Sequence, residues 1–154
     1  MAERRPEVAD ELAAVFQAYP GVHLDQDNIQ HHLARLERRF VVNRCNACAR
    51  LAFPMRSVCP DCWSDDLEPV EISGEGTLFA TTILHAGVPS SGIDYESGHP
   101  VGIVELAEQE GLRVITSLVP RPGSDFRPGT SMRLCWVERN GAPYPVFQET
   151  DPEP

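Results

Sequence analysis

The sequence has no lysine. All thirteen of its basic residues are arginines, set against 23 Asp and Glu, for a formal net charge of −10. A nucleic-acid surface needs a basic footprint, so this balance weighs against that class of partner. Aromatic residues are also few, at 7%, which leaves little material for a base-stacking platform. No apolar run approaches the ~20 residues that span a bilayer. No charged–apolar–small leader opens the chain, so the expected compartment is cytoplasmic. There is no Gly-x-Ser-x-Gly elbow, no phosphate loop, no internal repeat, and no nucleophile set beside an obvious base. A self-sufficient catalytic apparatus is therefore not expected.

Cysteine is scarce as well, but its placement is informative. Four of the five cysteines form two knuckles, Cys45-Asn-Ala-Cys48 and Cys59-Pro-Asp-Cys62, separated by ten residues. Two Cys-x-x-Cys turns at this distance have the ligand spacing of a four-cysteine metal site. Each turn aims two thiolates at one point, and the residues between can run out and back as a short hairpin. Zinc accepts four thiolates at tetrahedral corners. The set is then closed, with no open position for water or substrate, so a structural zinc is expected. Spacing alone leaves iron open; a pair of disulfides is disfavoured without a secretory signal. The apolar residues between the knuckles are too few to fold alone, and the metal is expected to supply most of the local stability. The fifth cysteine, Cys135, lies in an apolar strand-like run and reads as a small buried residue.

With 154 residues, 14 prolines and 11 glycines, one domain of short elements plus a metal module is expected. Residues 6–19 read as a helix with Val8, Leu12, Val15, Phe16 and Tyr19 at helical spacing, stopped by Pro20-Gly21. It can pack on its own domain or on a partner. A second helix is expected over 28–38, capped by Asp27 or Asn28, with Ile29, Leu33 and Leu36 as its stripe. His31 and His32 read as solvated. Arg35, Arg38 and Arg39 form a basic cluster, read as either a solvated face or a contact for an anionic ligand or acidic partner.

From Leu67 the period changes to two. Val70 and Ile72 open a first barrel strand, interrupted at Gly74-Glu-Gly76 by a bulge or bend. It continues over Thr77–Leu84, with Leu78, Ala80, Thr82 and Leu84 on one face. A loop rich in Gly, Ser and Pro covers 86–99. Further strands follow over 101–106, 112–119 and 131–138. Asn140-Gly141 is a hairpin turn signal, and Tyr144–Gln148 a short last strand. The expected organisation is N-terminal helices over 1–39, a zinc ribbon over 40–66, a five-stranded barrel of the OB type over 67–149 and a disordered tail over 150–154.

Taken in order, these strings identify a likeness. Cys-x-x-Cys, Phe53-Pro54-x-Arg56, Cys59-Pro60-x-Cys62 and Ser73-Gly74-x-Gly76-Thr77, followed by Thr82–His85, Val101–Leu106, Gly111-Leu-Arg113, Pro128-Gly129 and Pro145-Val146-Phe147, resemble the DUF35 family over roughly residues 25–148. The resemblance implies a mainly β fold with N-terminal helices, in which a rubredoxin-like zinc ribbon is followed by a five-stranded OB-fold barrel. It also implies a non-catalytic subunit of a thiolase-fold acyl-CoA complex, a thiolase or an aldolase, in steroid side-chain or other lipid degradation. Such a subunit stabilises its partner and the acyl-CoA channel. In the family, glycine commonly follows the second and fourth cysteines, where this chain has Ala49 and Trp63. An aromatic pair is common near the place of His31 and His32.

The expected metal ligands are Cys45, Cys48, Cys59 and Cys62. A coenzyme A thioester is a possible shared ligand. Its phosphates would need local arginines in so acidic a chain, and Arg44, Arg50 and Arg56 around the ribbon are the candidates. His85, Tyr95 and His99, in or beside the 86–99 loop, are the other candidate acyl-CoA or partner contacts. The alternatives are an OB module for single-stranded nucleic acid and a rubredoxin-like iron electron carrier.

Overall fold

The computed structural model describes residues 6–88 and 92–150, with side chains from residue 9 onward. Val8 of the expected helical stripe and residues 151–154 of the expected tail thus fall outside what is described at side-chain level. Among the described residues, two helices, α1 (Pro6–Ala18) and α2 (Ile29–Leu36), precede eight strands. Three form the ribbon sheet: β1 (Val41–Cys45), β2 (Leu51–Ala52) and β3 (Leu67–Glu71), in the order β2-β1-β3. The other five are β4 (Glu75–Leu84), β5 (His99–Leu106), β6 (Arg113–Val119), β7 (Ser131–Arg139) and β8 (Ala142–Glu149). They close a barrel in the order β4-β5-β6-β8-β7. Closure is completed by the parallel pair β6–β8 and by a short β4–β7 ladder over Glu75–Thr77.

The strand expected to begin at Val70 is in fact two strands in two sheets. β3 pairs with β1 along its whole length, from Val41↔Glu71 to Cys45↔Leu67, so it belongs to the ribbon. The chain then turns through Ile72-Ser73-Gly74 and starts the barrel at Glu75. Gly74 has φ +83, and a Cβ there would lie 2.9 Å from that of Leu134, so both backbone conformation and space call for glycine. At the other hairpin, Asn140 (φ 51) and Gly141 (φ 78) form the two-residue left-handed turn that this dipeptide favours. β8 is longer than expected, because its pairing with β7 runs from Ala142 to Glu149.

Ribbon and barrel share one core. Phe40, Val42 and Ile72 are buried with Leu78, Val104, Leu106, Val114, Leu118, Met132 and Phe147, and Leu51, Phe53 and Val70 pack against them. The inter-knuckle segment thus draws its burial from the barrel. A second link is polar. In the β5–β6 turn, Gln109 Nε2 donates to Leu51 O (2.9 Å) and its Oε1 accepts from Leu51 N (2.8 Å). The side-chain amide completes the backbone pairing of a two-residue strand.

The helices pack on their own chain. Val15 and Tyr19 are buried with Ala142 of β8, and the Tyr19 hydroxyl donates to Pro143 O at 2.8 Å; Phe16 remains half exposed. α2 is shorter than expected. Asn28 stands at its N-cap, as expected, but makes no side-chain capping bond; instead Asp25 Oδ1 accepts from the backbone N–H groups of Asp27 and Asn28, and Asn28 Oδ1 accepts from Asp25 N. Among the described residues, no helix is long and apolar enough to cross a membrane.

Candidate metal centre and its surroundings

The two knuckles meet. The ligand sulfurs of Cys45, Cys48, Cys59 and Cys62 all lie within 4.8 Å of one another. Cys45 and Cys62 are 3.5 Å apart, and Cys48 and Cys59 3.7 Å. A tetrahedral ion with bonds of about 2.3 Å sets its sulfurs about 3.8 Å apart, so the donor set fits zinc. A disulfide needs about 2.05 Å, and all four cysteines are free thiols. Backbone N–H groups are turned onto the sulfurs: those of Ala47 and Cys48 onto Cys45, that of Arg50 onto Cys48 and that of Ser64 onto Cys62. Burial raises the Cys45 thiol, but these donors and the neighbouring thiols outweigh it and bring it down to about 7. Against the N–H groups of Arg50 and Ser64, the neighbouring thiols and burial push Cys48 up to about 12 and raise Cys62, so all four become thiolates together only around a cation.

Each knuckle closes with a residue in the left-handed region, Ala49 (φ 63) and Trp63 (φ 65). These are the two places where the family resemblance leads one to expect glycine. Trp63 is 82% exposed. The peptide between Phe53 and Pro54 is cis.

The candidate arginines do not gather on one anion-binding face. Arg50 Nε pairs with Asp61 at 3.3 Å. Arg44 stands opposite Glu68 in the ladder. Arg56 shares a cleft with Asp27 and Asp65, and its backbone is held by the buried Asn43, whose amide makes bonds of 3.2 and 3.3 Å to it. Each cation faces acidic side chains. Around the 86–99 loop the candidates do converge in part. Tyr95 and His99 stack edge-on at 6.0 Å, and His99 Nε2 lies 2.8 Å from the Ser117 hydroxyl. Burial, then the charge of Arg139, lowers the pKa of His99. His85 is exposed and lies against Gly98.

The basic cluster of α2 is divided among three environments. Arg38 pairs with Glu138, and Arg39 with Glu37 (2.9 Å) and Glu71 (3.0 Å). Arg35 turns inward, its guanidinium 4.1 Å from the Tyr19 ring centroid and 5.0 Å from that of Tyr144. Aromatic faces, rather than a carboxylate, hold that charge.

His31 and His32, expected to be solvated, are buried at 8% and 9% exposure. His31 packs edge-on against Phe40 (4.9 Å) and beside Phe53 (5.2 Å), and its Nδ1 lies 3.1 Å from Val41 O. The rings of the two histidines touch at 5.5 Å. They occupy the place expected for an aromatic pair and serve as one. Cys135 is only partly buried, and that burial pushes its thiol up.

A closed four-cysteine ribbon joined through a shared core to a five-stranded OB barrel defines a zinc-ribbon/OB-fold protein. The family model for the ChsH2 rubredoxin-like zinc ribbon domain matches residues 34–68, and that for the ChsH2 C-terminal OB-fold domain matches residues 69–137. The chain belongs to the DUF35 family. It is 31% identical over 135 residues to a probable enoyl-CoA hydratase alpha subunit of Thermomonospora curvata, a match covering 87% of this chain and 41% of that one. It is 33% identical over 81 residues to the benzoylsuccinyl-CoA thiolase subunit BbsA of Thauera aromatica, covering 53% of this chain and 52% of that one. The chain thus spans about half or less of these two relatives. Among solved structures, an Ltp2-ChsH2(DUF35) aldolase chain superposes with a TM-score of 0.71 at 32% identity, over 85% of this chain and 98% of that one.

Proposed function

We propose that this chain is the non-catalytic zinc-ribbon/OB-fold subunit of a thiolase-fold acyl-CoA thiolase or aldolase in lipid or steroid side-chain degradation. In this role it stabilises its partner and the partner's acyl-CoA channel. Cys45, Cys48, Cys59 and Cys62 hold a structural zinc, and the site of work is the cytoplasm, where such thiols stay reduced. The observation that carries the reading is the near-complete overlap with the DUF35 chain of an aldolase. The closed sulfur set agrees with it, because four protein ligands leave zinc no position for substrate.

Acyl-CoA or partner contact is assigned first to Tyr95, His99 and His85 by the β4–β5 loop, and second to Arg44, Arg50 and Arg56. The arginines rank lower because each already faces acidic side chains. The single-stranded nucleic-acid alternative is not favoured. The net charge is −10, and Arg113 on the outer face of β4–β6 is paired with Glu105.

The test is purification of the tagged chain from its native cells, with metal analysis of the eluate. A thiolase-fold protein together with one zinc per chain is the expected result. A lone monomer, or an eluate rich in nucleic acid, would end the proposal; a red, iron-loaded chain would return the electron-carrier reading.

A further inference from the structure

The side-chain alternation expected along β4 breaks at Phe79. Leu78 pairs with Val104, yet Ala80 pairs with Ile103, so Phe79 is an extra residue in a bulge. A bulge inverts the faces beyond it. Leu78 points into the core, whereas Ala80, Thr82 and Leu84 share the outer face with Val101, Ile103 and Ile115. That face is apolar and open: Ile115 is 78% exposed, Phe79 49% and Leu84 38%. Within it, Ala80–Thr82, Val101–Ile103 and Ile115 line a shallow cleft of about 290 Å³. Its charged rim is Arg113, stacked over Phe79 at 3.6 Å and paired with Glu105 at 2.9 Å.

The same strand also has an open edge. β7 pairs with β4 only over Glu75–Thr77, and Gly129 and Thr130 take the backbone of Leu78. Beyond that point β5 occupies one side of β4, and among the described residues no strand pairs with the other. The free edge, Ala80-Thr-Thr-Ile-Leu84, contains no charge and no proline. Sheet proteins usually guard such an edge with charge, proline or a covering element. An unguarded edge beside an apolar face suits strand addition, with backbone bonds along the edge and alternate side chains in the cleft.

We infer that this edge and face dock an extended segment of the thiolase-fold subunit, apolar at alternate positions. The inference rests on the proposed function and adds the surface and the mode of contact. The occupant follows from charge. A second copy would set one chain of −10 against another, whereas a partner of net positive charge is drawn toward it.

The test uses the full chain and the thiolase-fold subunit that co-purifies with it. Hydrogen exchange at the backbone amides of residues 80–84 should slow by at least about 10-fold in the complex. Ile115→Glu and Phe79→Glu alter exposed side chains, so both should keep zinc and fold. Each should weaken the complex about 10-fold or more, as loss of a central apolar anchor does. If the wild-type complex forms while both variants bind normally and the 80–84 amides exchange as in the free chain, the docking surface is refuted and the subunit role stands. If the purified wild-type chain binds no thiolase-fold protein, the subunit role fails and the docking surface with it. A dimer of the isolated chain that Ile115→Glu disperses would assign the face to a second copy and overturn the inference.

Discussion

Cys59 is almost fully buried, at 1% exposure, and its sulfur lies 3.7 Å from that of Cys48. Cys59→Ser leaves three thiolates and replaces a soft donor with a hydroxyl. Zinc content should fall well below one per chain, and the ribbon amides should lose their exchange protection; full zinc stoichiometry would refute the four-ligand site. His31 makes a second residue-scale prediction. Burial lowers its pKa from 6.5 to about 4. The unfolded chain therefore binds a proton between those pH values that the folded chain does not, and stability falls with acidification through that window. Each pH unit of the lowering is worth about 1.4 kcal/mol, so His31 should withdraw up to ~3 kcal/mol. His32, also lowered by burial to about 4, acts in the same direction. Denaturant titrations of wild type and His31→Phe from pH 7 to 4 check this, since acid release of zinc acts on both alike. The wild-type curve should fall more steeply, and parallel curves would exclude His31 as the cause.

At the scale of elements, the ribbon is held to the barrel by few devices. Gln109 offers both ends of its amide to Leu51, at 2.8 and 2.9 Å. Gln109→Ala leaves one partly buried donor and one acceptor without partners, which costs about 1–3 kcal/mol. The Leu51 amide should then exchange faster by about 10-fold or more, with zinc retained. Unchanged exchange would mean that apolar packing alone seats the ribbon. The helices are attached differently. Tyr19 reaches Pro143 O and also stacks with Arg35, so α1, α2 and β8 meet around one guanidinium. Burial lowers the pKa of Arg35, and the tyrosine faces offset part of that desolvation.

For the whole molecule, the shared core decides how it unfolds. Phe40, Val42 and Ile72 flank or belong to the ribbon sheet yet lie among barrel side chains. Stripping the metal should therefore not leave an intact barrel beside a loose ribbon. Calorimetry should give one transition with zinc bound. After chelation one transition is expected at lower temperature, because the metal stabilises only the folded state. Two separate transitions in the chelated protein would show that the core is not shared energetically.

Much of this was legible in the chain itself. The double knuckle, the Asn140-Gly141 turn and the two-residue periodicity of the barrel strands are local signals, and each rests on short-range geometry. Four thiolates at that spacing carry their own chemistry, and an Asn-Gly pair carries its own left-handed turn. Other features depended on what lies across the fold. Whether Leu67–Glu71 joins ribbon or barrel is a choice of hydrogen-bond partner, and β1 stood ready only in three dimensions. The burial of His31 and His32 came from Phe40, Phe53 and Tyr19 closing over polar side chains that read as solvated. The outer face of β4 was hidden by a single extra residue at Phe79, because one bulge inverts every side chain after it. Sequence determined the metal site and the class of fold. Tertiary structure decided which faces were buried and which stayed open, because burial belongs to pairs of elements and not to either one alone.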